Sequence, residues 1–381
     1  MTLDLVELGQ RVPLPDQPTA AAARRAFDGL AKPAGSLGRL EDLAAWLCAA
    51  QRRVPPVVDR VSVVVFAGDH GVSRLGVSAY PSSITPLMVR TFVGGGAAVN
   101  VLARAVGASV RVLDIAVDSD LADLPAVVAH KVRRASGRID VEDATTREEA
   151  EAAFRAGMAV ADEEVDAGAD LLLPGDMGIG NTTPSAVLTA VLTGKEIAAV
   201  VGRGTGIDDD AWMRKAAAVR DAARRGRPQT GDLLGLLAAV GGADLAAMVG
   251  FITQAAVRRT PVVLDGVMSG AAALVAQRIT YRTARWCLAG HRSTEPAHRF
   301  ALERLGLEPI VDFQLRLGEG TGALLAVPVL RAAAALLTEM ATLDEVLALA
   351  DAADAPDRPL GDDQVPLEQR PEQAAASDPA G

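Results

Sequence analysis

Pro309-Ile310-Val311-Asp312-Phe313-Gln314-Leu315 runs into Arg316-Leu317-Gly318-Glu319-Gly320-Thr321-Gly322-Ala323, and an alanine- and leucine-rich stretch follows. The order reads as strand, glycine loop, helix. Three glycines at alternate positions remove every second side chain, so backbone N–H groups can approach a ligand closely. Glu319 is the one ionisable side chain inside that frame, and a lone carboxylate in a backbone-lined concavity suits a general base. The frame recurs as Gly202-Arg203-Gly204-Thr205-Gly206, with a relative at Gly178-Ile179-Gly180-Asn181-Thr182. These loops are candidates to converge on one phosphorylated ligand.

Working outward, short β-branched runs end in Gly- or Asp-containing turns at Val61–Phe66, Ser109–Ile115, Asp170–Leu173, Ala198–Val201, Pro261–Leu264, Ala284–Leu288 and Ile310–Leu315. Helical stretches such as Thr146–Ala167 and Asp209–Ala223 separate them. Continuous apolar strands alternating with helices predict an α/β fold: a doubly wound, mostly parallel, Rossmann-like sheet covered on both faces. Ligands of such sheets bind beyond the carboxyl ends of the strands, where the glycine loops fall. Residues 1–60 read as helical, 61–330 as the α/β nucleotide-binding domain and 331–353 as a C-terminal helix. Residues 354–381, rich in Pro, Asp, Gln and Ala, read as an acidic, disordered tail.

Composition removes several function classes. The net charge is −10 over 381 residues. From Glu339 onward eleven acidic residues face only Arg358 and Arg370, which leaves the body close to neutral. No basic nucleic-acid footprint is present. Cys48 and Cys287 lie in apolar runs, which fits a reducing compartment. Met1–Leu5 has neither the basic start nor the apolar stretch of a secretory signal, so the expectation is a cytoplasmic protein. The run Leu233–Val257 carries Asp244 near its centre and four glycines; it reads as an interior helix, with no membrane insertion.

Each motif has competing readings. Gly318–Ala323 matches G-x-G-x-x-A, but the dinucleotide fingerprint needs a second strand ending at an acid, and Leu336–Leu349 around Glu339 is helical in pattern. A mononucleotide site fits better. Gly194-Lys195-Glu196 lacks the flanking residues of a P-loop. Val262-Val263-Leu264-Asp265-Gly266 carries one acid where a diphosphate–Mg²⁺ turn carries two. Asp69 and His70 read as a turn cap and a hydrogen-bonding positioner in preference to a metal pair, and His291 and His298 lack zinc spacing. Ser293 and Thr294 read as helix caps, with Glu295 in the first turn. Lys215 alone reads as a solvated helix face. The expectation is no metal and no cofactor.

Taken together, Lys32–Glu41 (KPAGSLGRLE), Phe66–Val72 (FAGDHGV), Gly94–Asn100 (GGGAAVN), Met177–Thr183 (MGIGNTT), Gly202–Gly206, Gly290–Ser293 (GHRS) and Arg316–Ala323 resemble, in order over residues 30–330, one family. It is the nicotinate-nucleotide:dimethylbenzimidazole phosphoribosyltransferases of cobalamin nucleotide-loop assembly. The resemblance implies a pentosyltransferase that moves phosphoribose from nicotinate mononucleotide to 5,6-dimethylbenzimidazole or a related base, giving α-ribazole 5′-phosphate and nicotinate. It also implies a homodimer with a small helical domain built from both chain ends. Carried over, it makes Glu319 the catalytic base. Asp176, Gly178, Gly204, Lys215, Ser293, Gly318 and Gly320 become nucleotide-binding, and Tyr80, Ser82, Met88, Arg90 and Leu317 form the base pocket. Asp176 stands where relatives usually have Glu, and Asp244 likewise; Leu87, Arg90 and Thr91 replace residues that are often amides. The alternatives are a phosphoribosyltransferase for a purine or phenol, and a nonenzymatic nucleotide-binding relative. An NAD-dependent dehydrogenase would need the missing half of the fingerprint.

Overall fold

In a computed structural model, residues 3–353 are described. Six strands form one all-parallel sheet: β1 (Val61–Gly68), β2 (Ser109–Ala116), β3 (Leu171–Met177), β4 (Val262–Leu264), β5 (Cys287–His291) and β6 (Pro309–Val311). Their spatial order is β2-β1-β3-β4-β5-β6. The expected doubly wound, mostly parallel architecture is the one observed.

All eight residues of β1 are buried, as a central strand covered on both faces must be. Alternate side chains go to opposite faces. Val64 and Phe66 join Leu172, Leu264 and Phe251 in one core, whereas Val63, Val65 and Ala67 join Leu173, Val263 and Leu324 in the other. The first core is closed by helices Arg147–Asp166, Thr182–Thr193, Ala243–Val257 and Val267–Ile279. Helices Arg39–Gln51, Ile84–Val93, Ala98–Val106 and Thr321–Glu339 close the second.

From β1 the chain builds first toward β2, then returns to the other side with β3. The loops after β1 and β3 therefore leave toward opposite faces and open a crevice between their carboxyl ends. Gly68 and Gly178 lie at that point. A Cβ on Gly178 would run into the Gly68 carbonyl, so the two loops touch only because residue 178 is glycine.

Four expectations change. Ala198–Val201 is not a strand: Ile197–Val200 is a turn of helix. β3 pairs directly with β4 through Leu172 and Val262, leaving no slot, and its two alanines favour helix. Ile310–Leu315 pairs only as Pro309–Val311, and the chain from Asp312 to Gly318 is irregular. The interior stretch Leu233–Val257 is broken by a π-turn at Leu237–Gly241 and by Gly242 (φ 109°) before the buried helix Ala243–Val257. Glu295 is the N-cap residue of helix Pro296–Leu305 and does not sit in its first turn.

Helices early in the chain meet the segment around residues 337–343. Ala31 N–H donates to Ala341 O and Leu343 N–H to Gly29 O, both at 2.9 Å, while Ala23, Ala45 and Cys48 pack against Leu337. The sequence boundary at 331 falls within the continuous helix Thr321–Glu339. The tail assigned to 354–381 lies outside the described residues. Ile84–Val106 and Thr321–Glu339 are apolar and long enough to cross a membrane. The first is two helices interrupted at Gly94–Gly96, and the second buries Leu324, Val327 and Leu330 in the core beside the sheet.

Candidate active site

A cavity of about 330 Å³ opens at the carboxyl ends of β3, β4, β5 and β6. Its wall includes Asp176, Gly178 and Thr182 after β3, Gly204 and Thr205 from the 202–206 loop, Gly266 after β4, His291 and Ser293 at β5, and Arg316–Glu319. Tyr80, Ile84 and Met88 line its apolar side. The three glycine loops do converge.

The loop 316–322 is a left-handed turn. Gly318, Glu319 and Gly320 have φ of 85°, 64° and 92°. A non-glycine residue in that region costs on the order of 1–3 kcal/mol and persists only where its surroundings fix it. Here Glu319 N–H donates to Asp176 O (3.2 Å), and Thr321 N–H to Gly318 O (3.0 Å). Larger residues at the flanking positions are excluded: a Cβ at 318 would lie 3.0 Å from the Asp176 carboxylate and one at 320 would lie 2.8 Å from Val63. The turn aims the Glu319 side chain inward, where Oε2 accepts from Val99 N–H (3.2 Å) at the start of helix Ala98–Val106. Burial pushes the Glu319 pKa up; the Val99 bond opposes this, and the charge of Asp265 adds to it.

Asp176 faces the same space, half-buried, and accepts from Asn181 Nδ2 (2.8 Å). Its pKa is pushed up to about 8, first by burial and then by Asp265; the Asn181 bond opposes, and Asp244 and Glu319 contribute less. Behind it His70 Nε2 and Asp244 Oδ2 pair at 2.9 Å, both buried. His70 thus positions a carboxylate, as expected. Asp69 caps no turn: its oxygens take the Thr85 hydroxyl (2.6 Å) and Asp118 N–H (2.9 Å), joining the loop after β1 to helix Ile84–Val93 and to the loop after β2.

Lys215 overturns the solvated-face reading. It is fully buried beneath the 202–206 loop, with Nζ donating to Thr182 Oγ1 (2.8 Å) and Gly202 O (3.1 Å). Burial lowers its pKa and Glu295 partly restores it. Glu295 Oε1 accepts Gly204 N–H (2.7 Å), so a carboxylate ties the loop to helix Pro296–Leu305. Ser293 Oγ accepts Glu295 N–H (3.3 Å), and Ser293 N–H donates to His298 Nδ1 (3.1 Å). A serine hydroxyl and the start of helix Thr182–Thr193 line one concavity with a buried ammonium beneath, groups of the kind that can hold an anion.

Of the sequence-derived positions, Glu319, Asp176, Gly178, Gly204, Ser293, Gly318, Tyr80, Met88 and Leu317 line the cavity. Lys215 sits one layer behind, and Gly320 starts helix Thr321–Glu339. Neither of these lines the cavity, and Ser82 and Arg90 do not reach it either. Ser82 Oγ bonds Ser73 Oγ (2.8 Å), and Arg90 makes a two-point pair with Asp123 (2.6 and 2.9 Å) on the outer surface. Sequence reasoning missed Asp265, Glu295, Thr182 and Arg316. Asp265 and Glu295 were visible only as single acids after strands. Among the described residues no cluster of His, Cys, Asp and Glu has metal-binding geometry.

Comparison with known proteins shows the family. Residues 12–347 match a family described as phosphoribosyltransferase. A nicotinate-nucleotide–dimethylbenzimidazole phosphoribosyltransferase of Mycolicibacterium paratuberculosis is 60% identical over 329 residues, 86% of this chain and 94% of that protein. The protein of the same name from Mycobacterium tuberculosis is 58% identical over 348 residues, covering 91% and 96%. The crystal structure of CobT from Thermus thermophilus superposes with a TM-score of 0.83 at 46% identity, covering 86% of this chain and 98% of that one.

Proposed function

This chain belongs to the nicotinate-nucleotide–dimethylbenzimidazole phosphoribosyltransferase family, and from that premise we propose that it transfers phosphoribose from nicotinate mononucleotide to 5,6-dimethylbenzimidazole. The products are α-ribazole 5′-phosphate and nicotinate. The observation that carries the reading is Glu319: one buried carboxylate on a left-handed turn, opening into the cavity beside those groups that can hold an anion.

The chemistry needs little more. In nicotinate mononucleotide the ring nitrogen bonded to C1′ is cationic, so the breaking C1′–N bond returns its electron pair to that nitrogen and nicotinate leaves without protonation. A neutral benzimidazole nitrogen forms the new bond to C1′. Its other ring nitrogen then bears an acidic N–H, and Glu319 takes that proton. General-base help of this kind is worth about 10²- to 10⁴-fold, and positioning supplies much of the rest.

In this reading the 5′-phosphate lies over Gly178 and Gly204, held by Ser293 and by Lys215 beneath, with Asp176, Gly318 and Gly320 shaping the nucleotide's path. The aromatic base lies against Tyr80, Met88 and Leu317. Helices from residues 1–60 and 331–353 act as one small domain. A homodimer is supported by exposed apolar side chains near the cavity mouth, with Leu87, Phe313 and Leu317 each more than half exposed. The protein works in the cytoplasm, outside the membrane.

The test is to incubate the protein with nicotinate mononucleotide and a panel of benzimidazoles, purines and phenols, and to identify any ribotide by mass. Dimethylbenzimidazole ribotide is expected. Ribotide from none of the bases would overturn the transferase reading.

A further inference from the structure

Asp265 is a carboxylate that the reaction above does not use. It directly follows β4, is fully buried, and directs both oxygens at the start of helix Thr321–Glu339. Oδ2 accepts Gly320 N–H (3.1 Å), and Oδ1 accepts Gly322 N–H (2.7 Å) and Ala323 N–H (3.1 Å). His291 Nε2, on the neighbouring strand end, lies 3.6 Å from Oδ1. These donors are free at any helix start and are ordinarily met by a cap from the preceding residues. Here Gly320 supplies no side chain, and the acceptor comes from 55 positions away in the chain.

The residue immediately before these donors is Glu319, whose backbone occupies a conformation that nothing in its own side chain favours. Holding it requires both ends of the turn to be pinned. The upstream end is pinned by the Asp176 carbonyl, and the downstream end by Asp265. We propose that Asp265 is the positioning residue for the general base, clamping the downstream side of the 318–320 turn so that the Glu319 carboxylate stays aimed at the incoming base. Its role is to act through Glu319, at a distance from the substrate.

The same placement has an electrostatic consequence. Glu319 is faced by Asp176 at the end of β3, by Asp265 at the end of β4 with His291 behind it, and by the Val99 N–H at the start of helix Ala98–Val106. Among the causes acting on Glu319, the negative charge of Asp265 raises its proton affinity. Removing that charge therefore lowers the pKa of the base.

This inference rests on the phosphoribosyl-transfer reading, and the experiment separates the two. Wild-type protein, Asp265→Asn, Glu319→Gln and the double variant are compared for kcat, for KM toward nicotinate mononucleotide and for kcat against pH. A misplacement of about 1 Å in a catalytic group costs roughly 10²-fold, so Asp265→Asn is expected to lose about 10- to 100-fold in kcat with KM little changed. In the Glu319→Gln background the same change is expected to cost almost nothing, because residues acting as a unit are non-additive. The acid limb of the Asp265→Asn profile is expected to move to lower pH, a shift that a purely structural role would not produce. Equal losses in both backgrounds, or an unmoved acid limb, would overturn the proposal. If the Asn amide breaks the fold, Asp265→Ser, smaller and neutral, enters the same cycle. A wild-type protein that makes no ribotide would instead refute the transferase reading before any variant is compared.

Discussion

The loop 316–322 and the loop 202–206 share the same Gly-x-Gly-x-Gly frame, yet they are held differently. From the first loop and its helix start, a fully buried Asp265 takes three N–H bonds. In the second, Glu295 takes one, from Gly204. Arg316 joins them by donating to the Gly204 carbonyl. On the reaction proposed above, the first loop must keep one side chain aimed and is the rigid side of the comparison. The second would offer backbone N–H groups above a buried cation to a phosphate and is the adaptable side, with ties of its own from Lys215 to Gly202 O and from Ala79 N–H to Thr205 Oγ1.

The largest expected effect breaks the comparison at its rigid side. Glu319→Gln keeps shape and most of the packing and removes only the base. Turnover should fall about 10²- to 10⁴-fold, while nicotinate mononucleotide binding, measured by calorimetry, stays near the wild-type value. The pH profile gives a companion readout. Burial raises the Glu319 pKa, so the unprotonated, active form accumulates only above a point higher than an ordinary glutamate's. The acid limb of kcat should lie above that ordinary value in the wild type and vanish in Glu319→Gln. Near-wild-type turnover in this variant would remove Glu319 from the mechanism.

Lys215 probes the adaptable side. Lys215→Met retains a buried unbranched stem and deletes the ammonium that reaches Thr182 and the Gly202 carbonyl. Hydrogen bonds to charged groups contribute roughly 1.5–3 kcal/mol, so KM for the nucleotide should rise about 10- to 100-fold. Turnover at saturation should fall far less. A kcat loss as large as that of Glu319→Gln, with KM unchanged, would show that the two loops do not divide the work in this way.

Glu295→Gln is a milder version of the same test. The amide still accepts from Gly204 N–H but no longer offsets the burial of Lys215. Turning a charge-assisted hydrogen bond into a neutral one costs about 1 kcal/mol, so a rise in KM of roughly two- to tenfold is expected, with kcat intact.

This division of labour was only half legible in the sequence. Local pattern gave the parallel strands, because apolar β-branched runs such as Val61–Phe66 state their own burial. It also gave the glycine frames, one of which stands with Glu319 within the eight residues Arg316–Ala323. What it could not give were the clamps. Asp265 and Glu295 act across 55 and 91 positions of chain, and neither has a local partner that marks it. Lys215 looked solvated because it is charged and flanked by charged residues, yet it shares the buried helix face of Ala211, Ala218, Val219 and Ala222, between Thr182 and the 202–206 loop. Arg90 looked like part of a base pocket, yet Asp123, 33 positions away, holds it outside.

Asp176 adjoins the 316–322 loop, its carbonyl accepting from Glu319 N–H, and its variant should have the smallest effect. Burial pushes its pKa up to about 8, which keeps the carboxyl mostly protonated at pH 7. An unfolded chain carries an ordinary aspartate, ionised above about pH 4. Between those values the folded state holds a proton that the unfolded state has released, so this group's contribution to stability falls as pH rises through the window and is fully lost above about pH 8. Asn imitates the protonated form and can still accept from Asn181. Asp176→Asn should therefore melt higher than wild type, by a margin that grows from pH 5 to pH 9 in thermal scans. Its turnover at pH 7 should stay close to the wild-type value, since the native side chain is already neutral there. A large turnover loss at pH 7 would mean that this proton takes part in the chemistry, and the rigid loop's neighbour would then join Glu319 in the reaction itself.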